Sequence, residues 1–301
     1  MIADALTGNR LPHGRRDALK RLQEEIEARS YNRISLQPLS ATIGAEVQGV
    51  DLCKDVDDET FAEIEHAFLD YKVLFFRDQP MSAERHLLFA KRFGELEQHP
   101  FLPTGDDEQI VRFSKDAKTV GVENQWHSDV SWRLTPALGS MLRAREVPRV
   151  GGDTLFSDMV AAYECLSDDV KQALEGMTAI HDFAHTFGLA MRPEELEKHA
   201  KEYPPAEHPV VRTHPVTGKR LLYVNAIFTS HLVGMDREES DRTLDALFSQ
   251  AAIPEFQCRF RWAKDSVALW DNRAVQHYAT NDYWPQRRVM ERVSMIGDQP
   301  R

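Results

Sequence analysis

The sequence predicts a mostly β protein with flanking helices and a double-stranded β-helix (jelly roll) core. Three observations predict it. Short strand-like runs are scattered along most of the chain. Helical patterns sit at the start and in insertions, as when helices pack outside a double sheet. No glycine-rich strand-to-helix turn marks a Rossmann fold or a P-loop.

The chain has 301 residues, enough for one large core or two domains. Its net charge of −11 argues against nucleic acid and anionic membranes as partners and favours cytoplasmic solubility. Cys53, Cys165 and Cys258 lie far apart with no C-x-x-C spacing. They make neither a disulfide framework nor a structural zinc site, which fits a reducing cytoplasm. No apolar run approaches the roughly 18 residues a bilayer span needs. The N-terminus lacks the apolar stretch of a secretory signal.

Residues 1–33 stand apart as an N-terminal extension. Asn9 to Arg16 is a Pro/Gly/Arg-rich loop, and Asp17 to Arg29 is helical, with Leu19, Leu22 and Ile26 at spacings of three and four. This helix suits an arm, a subunit contact or, equally, a partly ordered extension, and assembly as a homo-oligomer is expected. The body, residues 34–301, opens with short strands at Ile34–Leu39 and Ala45–Val50. A helix over Asp57–Asp70 puts Phe61, Ile64, Ala67 and Phe68 on one face. Val73–Phe76 is a buried strand, continuously apolar. Ser82 caps a helix reaching Phe93, with Gly94 just beyond. Ile110–Phe113 is a strand.

Further on, Gly139–Ala144 and Asp153–Phe156 read as strands with a Gly151-Gly152 turn between them. Helices follow at Met159–Leu166 and Asp168–Glu175, capped by Asp158 and Ser167. Residues 180–205 are loop-like with one charged helix near Glu194–Lys201; so long an irregular segment suits an active-site lid, and residues 180–206 are expected to close over the site. Pro209–Thr213 and Leu221–Val224 form a hairpin through Pro215–Gly218. Asp236 caps a helix over Arg237–Ala252. Strands at Phe256–Trp262, Ser266–Trp270 and Val289–Met295 close the chain.

The chemistry centres on Trp126-His127-Ser128-Asp129. Residues two apart on a strand share a face, so His127 and Asp129 project together. An imidazole beside a carboxylate supplies two ligands of a 2-His-1-carboxylate triad, the arrangement that suits non-haem Fe(II) oxygenases. Among twelve histidines, His277 stands out for the third position. It follows the apolar strand ending in Trp270-Asp271-Asn272-Arg273, which puts it at a strand end. Arg288 and Arg292, four apart, share a strand face. If that face is inward, two guanidiniums enter the core and each demands an anion, because a buried unpaired charge is very costly. If Val289, Val293 and Met295 form the buried face instead, both arginines are solvated. Periodicity by itself slightly favours the second reading.

Six segments carry a resemblance that chooses between them: RFGELEQHP (92–100), WHSDVSW (126–132), GGDTLFSD (151–158), HPVVRTHPVTGK (208–219), LYVNAIFT (222–229) and WDNRAVQHYATNDYWPQRRVMERVSMIGD (270–298). The chain resembles the taurine dioxygenase family of Fe(II)- and 2-oxoglutarate-dependent oxygenases from about Ile34 to Asp298. The resemblance implies that His127, Asp129 and His277 bind Fe(II). It implies that Arg288 holds the distal carboxylate of 2-oxoglutarate, with Thr154 as hydroxyl partner. Arg292 matches the sulfonate-binding arginine. His99, Thr186, Phe187 and Phe228 match substrate-pocket positions, and Trp270 packs beside the metal.

The implied reaction hydroxylates the carbon next to the sulfonate of taurine or a related alkylsulfonate. It consumes O2 and 2-oxoglutarate and yields sulfite, an aldehyde, succinate and CO2. Two positions depart from the family pattern. Glu123 stands where the family contacts the taurine amine through Asn, and Leu102 replaces a substrate-contacting Tyr. Glu123 is still expected to bind substrate, through an ammonium. The same chemistry on an alkyl sulfate ester or an aryloxy-carboxylate is the alternative. A zinc hydrolase lacks support, because no His-Glu-x-x-His helix is present. A non-catalytic 2-oxoglutarate sensor would have no need of Asp129.

Overall fold

The computed structural model describes residues 2–6, 15–105, 107–119, 121 and 123–301. Most of the Asn9–Arg16 loop expectation lies outside the described residues. The helices are α1 (Ile2–Ala5), α2 (Arg16–Glu27), α3 (Asp58–Tyr71), α4 (Ala83–Lys91), α5 (Met159–Glu164), α6 (Asp168–Ala173), α7 (Pro193–Glu202) and α8 (Arg237–Phe248). The first strands are β1 (Ser35–Pro38), β2 (Ala45–Gln48), β3 (Val73–Phe76), β4 (Val111–Lys115), β5 (Ala137–Glu146), β6 (Thr154–Asp158) and β7 (Thr178–His181). They are followed by β8 (Ala206–Pro209), β9 (Val211–Thr213), β10 (Arg220–Leu222), β11 (Thr229–Leu232), β12 (Gln257–Phe260), β13 (Val267–Asp271), β14 (Val275–Ala279) and β15 (Arg288–Ile296).

The chain is thus mostly β with several helices. A seven-stranded sheet has the order β1-β2-β3-β13-β5-β15-β4, and a smaller sheet runs β12-β6-β14. Phe75 of the large sheet stacks on Phe260 of the small one, ring centroids 4.0 Å apart, and meets Phe156 at 5.7 Å. The core between the two sheets is therefore aromatic. The other face of the large sheet is covered by α3 and α4: Phe61, Ile64, Phe68 and Phe89 are buried there with Leu74, Leu269 and Val293. Local chemistry sets those helices where the sequence places them. Asp57 accepts from the Thr60 N–H at 2.9 Å, and Ser82 accepts from the Arg85 N–H at 3.1 Å, each an N-cap.

The helix α2 buries Leu22 and Ile26 against the body. The hairpin β9–β10 forms as its turn residues predict. The pair Gly151-Gly152 does turn the chain, with φ of +83° and +74°, but the strands it joins, β5 and β6, lie in different sheets.

Three expectations need correction. Ile180 and His181 are strand, not loop: they end β7, which pairs with both β8 and β11, so the loop-like reading of 180–205 holds only beyond His181. These strands are four residues long. Their buried positions include His181, His208 and Thr229, held by hydrogen bonds, so no apolar alternation announces them. His277 sits in the middle of β14 rather than at a strand end. The buried polar Gln276, which donates to the Val224 carbonyl at 2.8 Å, breaks the pattern there. On β15 neither reading of the arginines is complete, because Arg288 to Met295 are buried on both faces. Val289, Val293 and Met295 are core, and Arg288 and Arg292 are buried as well.

Candidate active site

His127 and His277 face each other as an antiparallel bridge. The His127 N–H donates to the His277 carbonyl at 3.1 Å, and the His277 N–H returns the bond at 2.8 Å. Directly opposed residues carry their side chains on one face, so the two imidazoles meet with centroids 4.1 Å apart. Asp129, two residues on, projects the same way. Its Oδ1 lies 3.8 Å from His127 Nε2 and 3.9 Å from His277 Nε2. One ligand atom from each of the three residues lies within 4.8 Å of the others.

Protonation favours a metal. The His127 Nδ1 sits 2.8 Å from the Gln125 carbonyl. A carbonyl only accepts, so Nδ1 carries the proton and the Nε2 lone pair faces the centre. Burial holds the His127 pKa below the ordinary histidine value. Burial, with His127 alongside, pushes His277 down to about 3. Burial alone would raise Asp129, but Arg292 and the two imidazoles outweigh it and hold the carboxyl well below the usual range. Two neutral imidazoles and one carboxylate are the state a divalent cation needs.

The backbone of Asp129 is clamped from both sides. Asn272 accepts from the Asp129 N–H at 2.7 Å, and its amide donates to the Asp129 carbonyl at 2.9 Å and the Ala137 carbonyl at 3.2 Å. Ser128 turns away and donates to the Val275 carbonyl at 2.8 Å. Asn272 carries no obvious sequence signal beyond its place in the polar turn after an apolar strand. Replacing Asn272 with Ala is expected to weaken metal affinity by about 10–100-fold while His127, Asp129 and His277 remain. Equilibrium dialysis against Mn(II) checks this; an unchanged affinity would remove the clamp from the site.

The triad opens into a cavity of about 850 Å³. All eleven residues expected at the site line it: His99, Glu123, His127, Asp129, Thr154, Thr186, Phe187, Phe228, His277, Arg288 and Arg292. Trp270 packs on His277 at 5.0 Å between centroids. One end of the cavity holds Arg288, buried, with Nε donating to the Gly152 carbonyl at 3.2 Å. Glycine is needed there: a Cβ on Gly152 would meet Arg288 Cδ at 3.1 Å. Arg288 Nη2 is buried and has no hydrogen-bond partner among the described residues. Burial lowers the Arg288 pKa, yet a guanidinium stays charged, so this end fits a carboxylate. Thr154 Oγ1 accepts from Trp262 Nε1 at 2.9 Å, which leaves its own hydrogen to give.

Towards the other end, Arg292 Nη1 donates to Asp129 Oδ1 at 2.6 Å, and Arg292 Nε is buried without a partner among the described residues. His99 Nδ1 accepts from the N–H groups of Phe101 and Leu102, both at 3.2 Å, so Nε2 carries the proton. Burial, then the charge of Arg292, pushes the His99 pKa down to about 3. Phe187 stacks on Phe228 with centroids 6.2 Å apart, and Leu102, Met191 and Ile227 join this apolar wall. Thr186 turns its hydroxyl back to the Phe183 carbonyl at 3.0 Å. Glu123, by contrast, lies on the Arg288 side of the cavity: it pairs with Lys115 at 2.8 Å, and Lys115 stands opposite Arg288 in the β4–β15 register.

A hydrogen-bonded block that the sequence does not single out braces the wall. Asn225 accepts from the Ile227 and Phe228 N–H groups at 3.2 and 3.0 Å and donates to Ser131 Oγ at 2.9 Å. Ser131 in turn meets His181 Nδ1 at 3.0 Å. This ties the segment after Asp129 to Phe228 and to the start of the segment carrying Phe187.

The family model described as Taurine catabolism dioxygenase TauD, TfdA family matches residues 35–294. The alkylsulfatase of Acinetobacter baylyi is 35% identical over 274 residues, covering 88% of this chain and 86% of the relative. The alpha-ketoglutarate-dependent 2,4-dichlorophenoxyacetate dioxygenase of Cupriavidus pinatubonensis is 34% identical over 279 residues, 87% of this chain and 97% of the relative. A crystal structure of a taurine dioxygenase from Burkholderia xenovorans superposes with a TM-score of 0.77 at 36% identity, covering 89% of this chain and 93% of that one.

Proposed function

The chain belongs to the taurine catabolism dioxygenase TauD, TfdA family and is an alpha-ketoglutarate-dependent dioxygenase; from that premise we propose that it uses Fe(II) and 2-oxoglutarate to hydroxylate the carbon next to the anionic head of a small organosulfonate or sulfate ester. The observation that carries this reading is one cavity holding the His127–Asp129–His277 triad together with two buried arginines. His127, Asp129 and His277 hold Fe(II). Arg288 and Thr154 hold the distal carboxylate of 2-oxoglutarate. When bound, these two groups supply the oxygen activation, with succinate and CO2 as the co-products.

The chain's own residues bind, orient and exclude water. Arg292 and the Nε2–H of His99 take the anionic head, which turns the adjacent C–H toward the triad, a positioning effect. Phe187 and Phe228 close an apolar wall over the reacting carbon. Thr186 spaces that wall rather than donating to substrate, since its hydroxyl already bonds the Phe183 carbonyl. Leu102 and Ile227 extend the apolar lining, and Glu123 already meets Lys115. An alkyl body therefore suits the far end better than the ammonium of taurine. An aryloxy-carboxylate is the second reading, favoured by the same aromatic wall. A zinc hydrolase leaves Arg288 without a task.

We read the two facing sheets as a jelly roll, residues 34–301 as the catalytic body and 1–33 as an extension. The family match over residues 35–294 supports that division. No described helix is long and apolar enough to cross a membrane. The acidic net charge and the spaced cysteines support a cytoplasmic setting; assembly as a homo-oligomer stays part of the proposal.

The test is anaerobic loading with Fe(II) and 2-oxoglutarate, then oxygen, with taurine, hexanesulfonate and hexyl sulfate in parallel. Succinate is expected with the hexyl substrates, matched by sulfite from the sulfonate or sulfate from the ester. Sulfite from taurine alone would overturn the apolar far end. No succinate with any anion, aryloxyacetate included, would sink the assignment.

A further inference from the structure

We infer that Arg292 is a built-in competitor of the metal for Asp129, so that the anionic substrate, by drawing Arg292 away, strengthens metal binding. This deepens the reading above and rests on its metal and anion assignments. Arg292 Nη1 bonds Asp129 Oδ1 at 2.6 Å. That oxygen is the one facing both imidazoles, 3.8 and 3.9 Å from their Nε2 atoms. A divalent ion held by the triad needs the same oxygen. The guanidinium cannot yield by deprotonation, so it must share the oxygen or leave it. Sharing sets a full positive charge beside a divalent cation, and Arg292 and Asp129 are both buried, where like charges are poorly screened.

The surroundings offer Arg292 little alternative. Nε is buried and has no partner among the described residues. The guanidinium lies over the ring of Phe113, 5.2 Å from its centroid, so that side offers no carboxylate. The nearby carboxylate of Glu97 is met by Arg133 at 2.9 Å. The His99 imidazole gives a proton rather than accepting one, since its Nδ1 is taken by two backbone N–H groups. An oxyanion in the cavity is therefore the group able to satisfy Nε and relieve Asp129. Arg favours such oxyanions because its fork matches them bidentately. The coupling runs both ways: bound metal raises affinity for the anion by the same factor.

The experiment titrates the metal-free full chain with Mn(II), without 2-oxoglutarate or oxygen, reading free Mn(II) by electron paramagnetic resonance. Hexyl sulfate is the probe, and its binding is followed by dialysis. In the wild type, saturating hexyl sulfate is expected to tighten Mn(II) binding by about tenfold. Arg292→Gln is expected to bind Mn(II) more tightly than wild type without the probe, and to ignore it. Hexyl sulfate that binds without moving the Mn(II) affinity overturns the inference and leaves the functional reading intact. A variant no tighter than wild type does the same. Failure of the wild type to bind either probe overturns both. The wild-type response alone decides the matter if the variant does not fold.

Discussion

Asp129→Ala is expected to lose metal binding and, with it, all 2-oxoglutarate consumption that depends on oxygen. Loss of a partner outside the ligand set already weakens such sites by about 10–100-fold, and Asp129 stands inside it. It supplies the only carboxylate of the triad. It is also the anion that balances Arg292 in a buried setting. Removing it leaves two neutral imidazoles facing an unpaired guanidinium, which repels a cation. The variant should therefore show no stoichiometric Mn(II) uptake, and succinate should fall to the level without enzyme. Stability should fall too, by about 3–5 kcal/mol, the usual cost of breaking a buried pair by deleting one partner. Asp129→Asn keeps the shape but not the charge, and separates a misfolded variant from a metal-free one. Wild-type succinate formation by either folded variant would refute the triad.

Arg288→Gln is expected to raise the KM for 2-oxoglutarate about 30-fold or more, from a loss of at least ~2 kcal/mol for a truncated buried charge partner. The argument rests on Nη2, buried with no partner among the described residues. A charge kept in that state costs stability unless something pairs with it. The co-substrate-free variant should thus melt at or above the wild-type temperature while binding 2-oxoglutarate poorly, a trade of stability for function. Arg287, next in sequence, gives the control. Its side chain is 59% exposed and meets Glu146 at 3.4 Å, so Arg287→Gln should leave the KM unchanged. Equal KM values for Arg288→Gln and wild type would move the co-substrate elsewhere.

Much of the site is legible in the sequence because its parts sit in short, dense segments. His127 and Asp129 read as a pair from the two-residue period, and the structure sets them side by side. The arginines read as sharing a face, but their burial does not follow from periodicity. A strand buried on both faces looks the same as one half solvated when its second face carries charge. His277 lies in a strand whose pattern Gln276 interrupts. Asn272 and Asn225 act through hydrogen bonds to backbone, and neither periodicity nor charge marks such a role. The strands β7, β8 and β11 escape for the same reason, being held partly by buried histidines rather than by an apolar face. The helices α3, α4, α5 and α8 read well, since caps and apolar stripes are local properties.

The strand β15 also works as a ruler. Four residues separate Arg288 from Arg292, about 13 Å of extended chain. The strand is paired on both sides, to β4 and β5, and Glu291 between the arginines is held by Arg112 and by the buried Arg143. A slip by one residue would turn both arginines away from the cavity and bring Val289 into it. The spacing is therefore fixed as tightly as the fold itself. That backbone spacing sets where the two guanidiniums enter the cavity. Under the proposed assignments, the far carboxylate of the co-substrate and the anionic head of the substrate would be pinned by two side chains of this one strand. The placement of co-substrate and substrate relative to each other would then be a property of strand geometry rather than of any one contact.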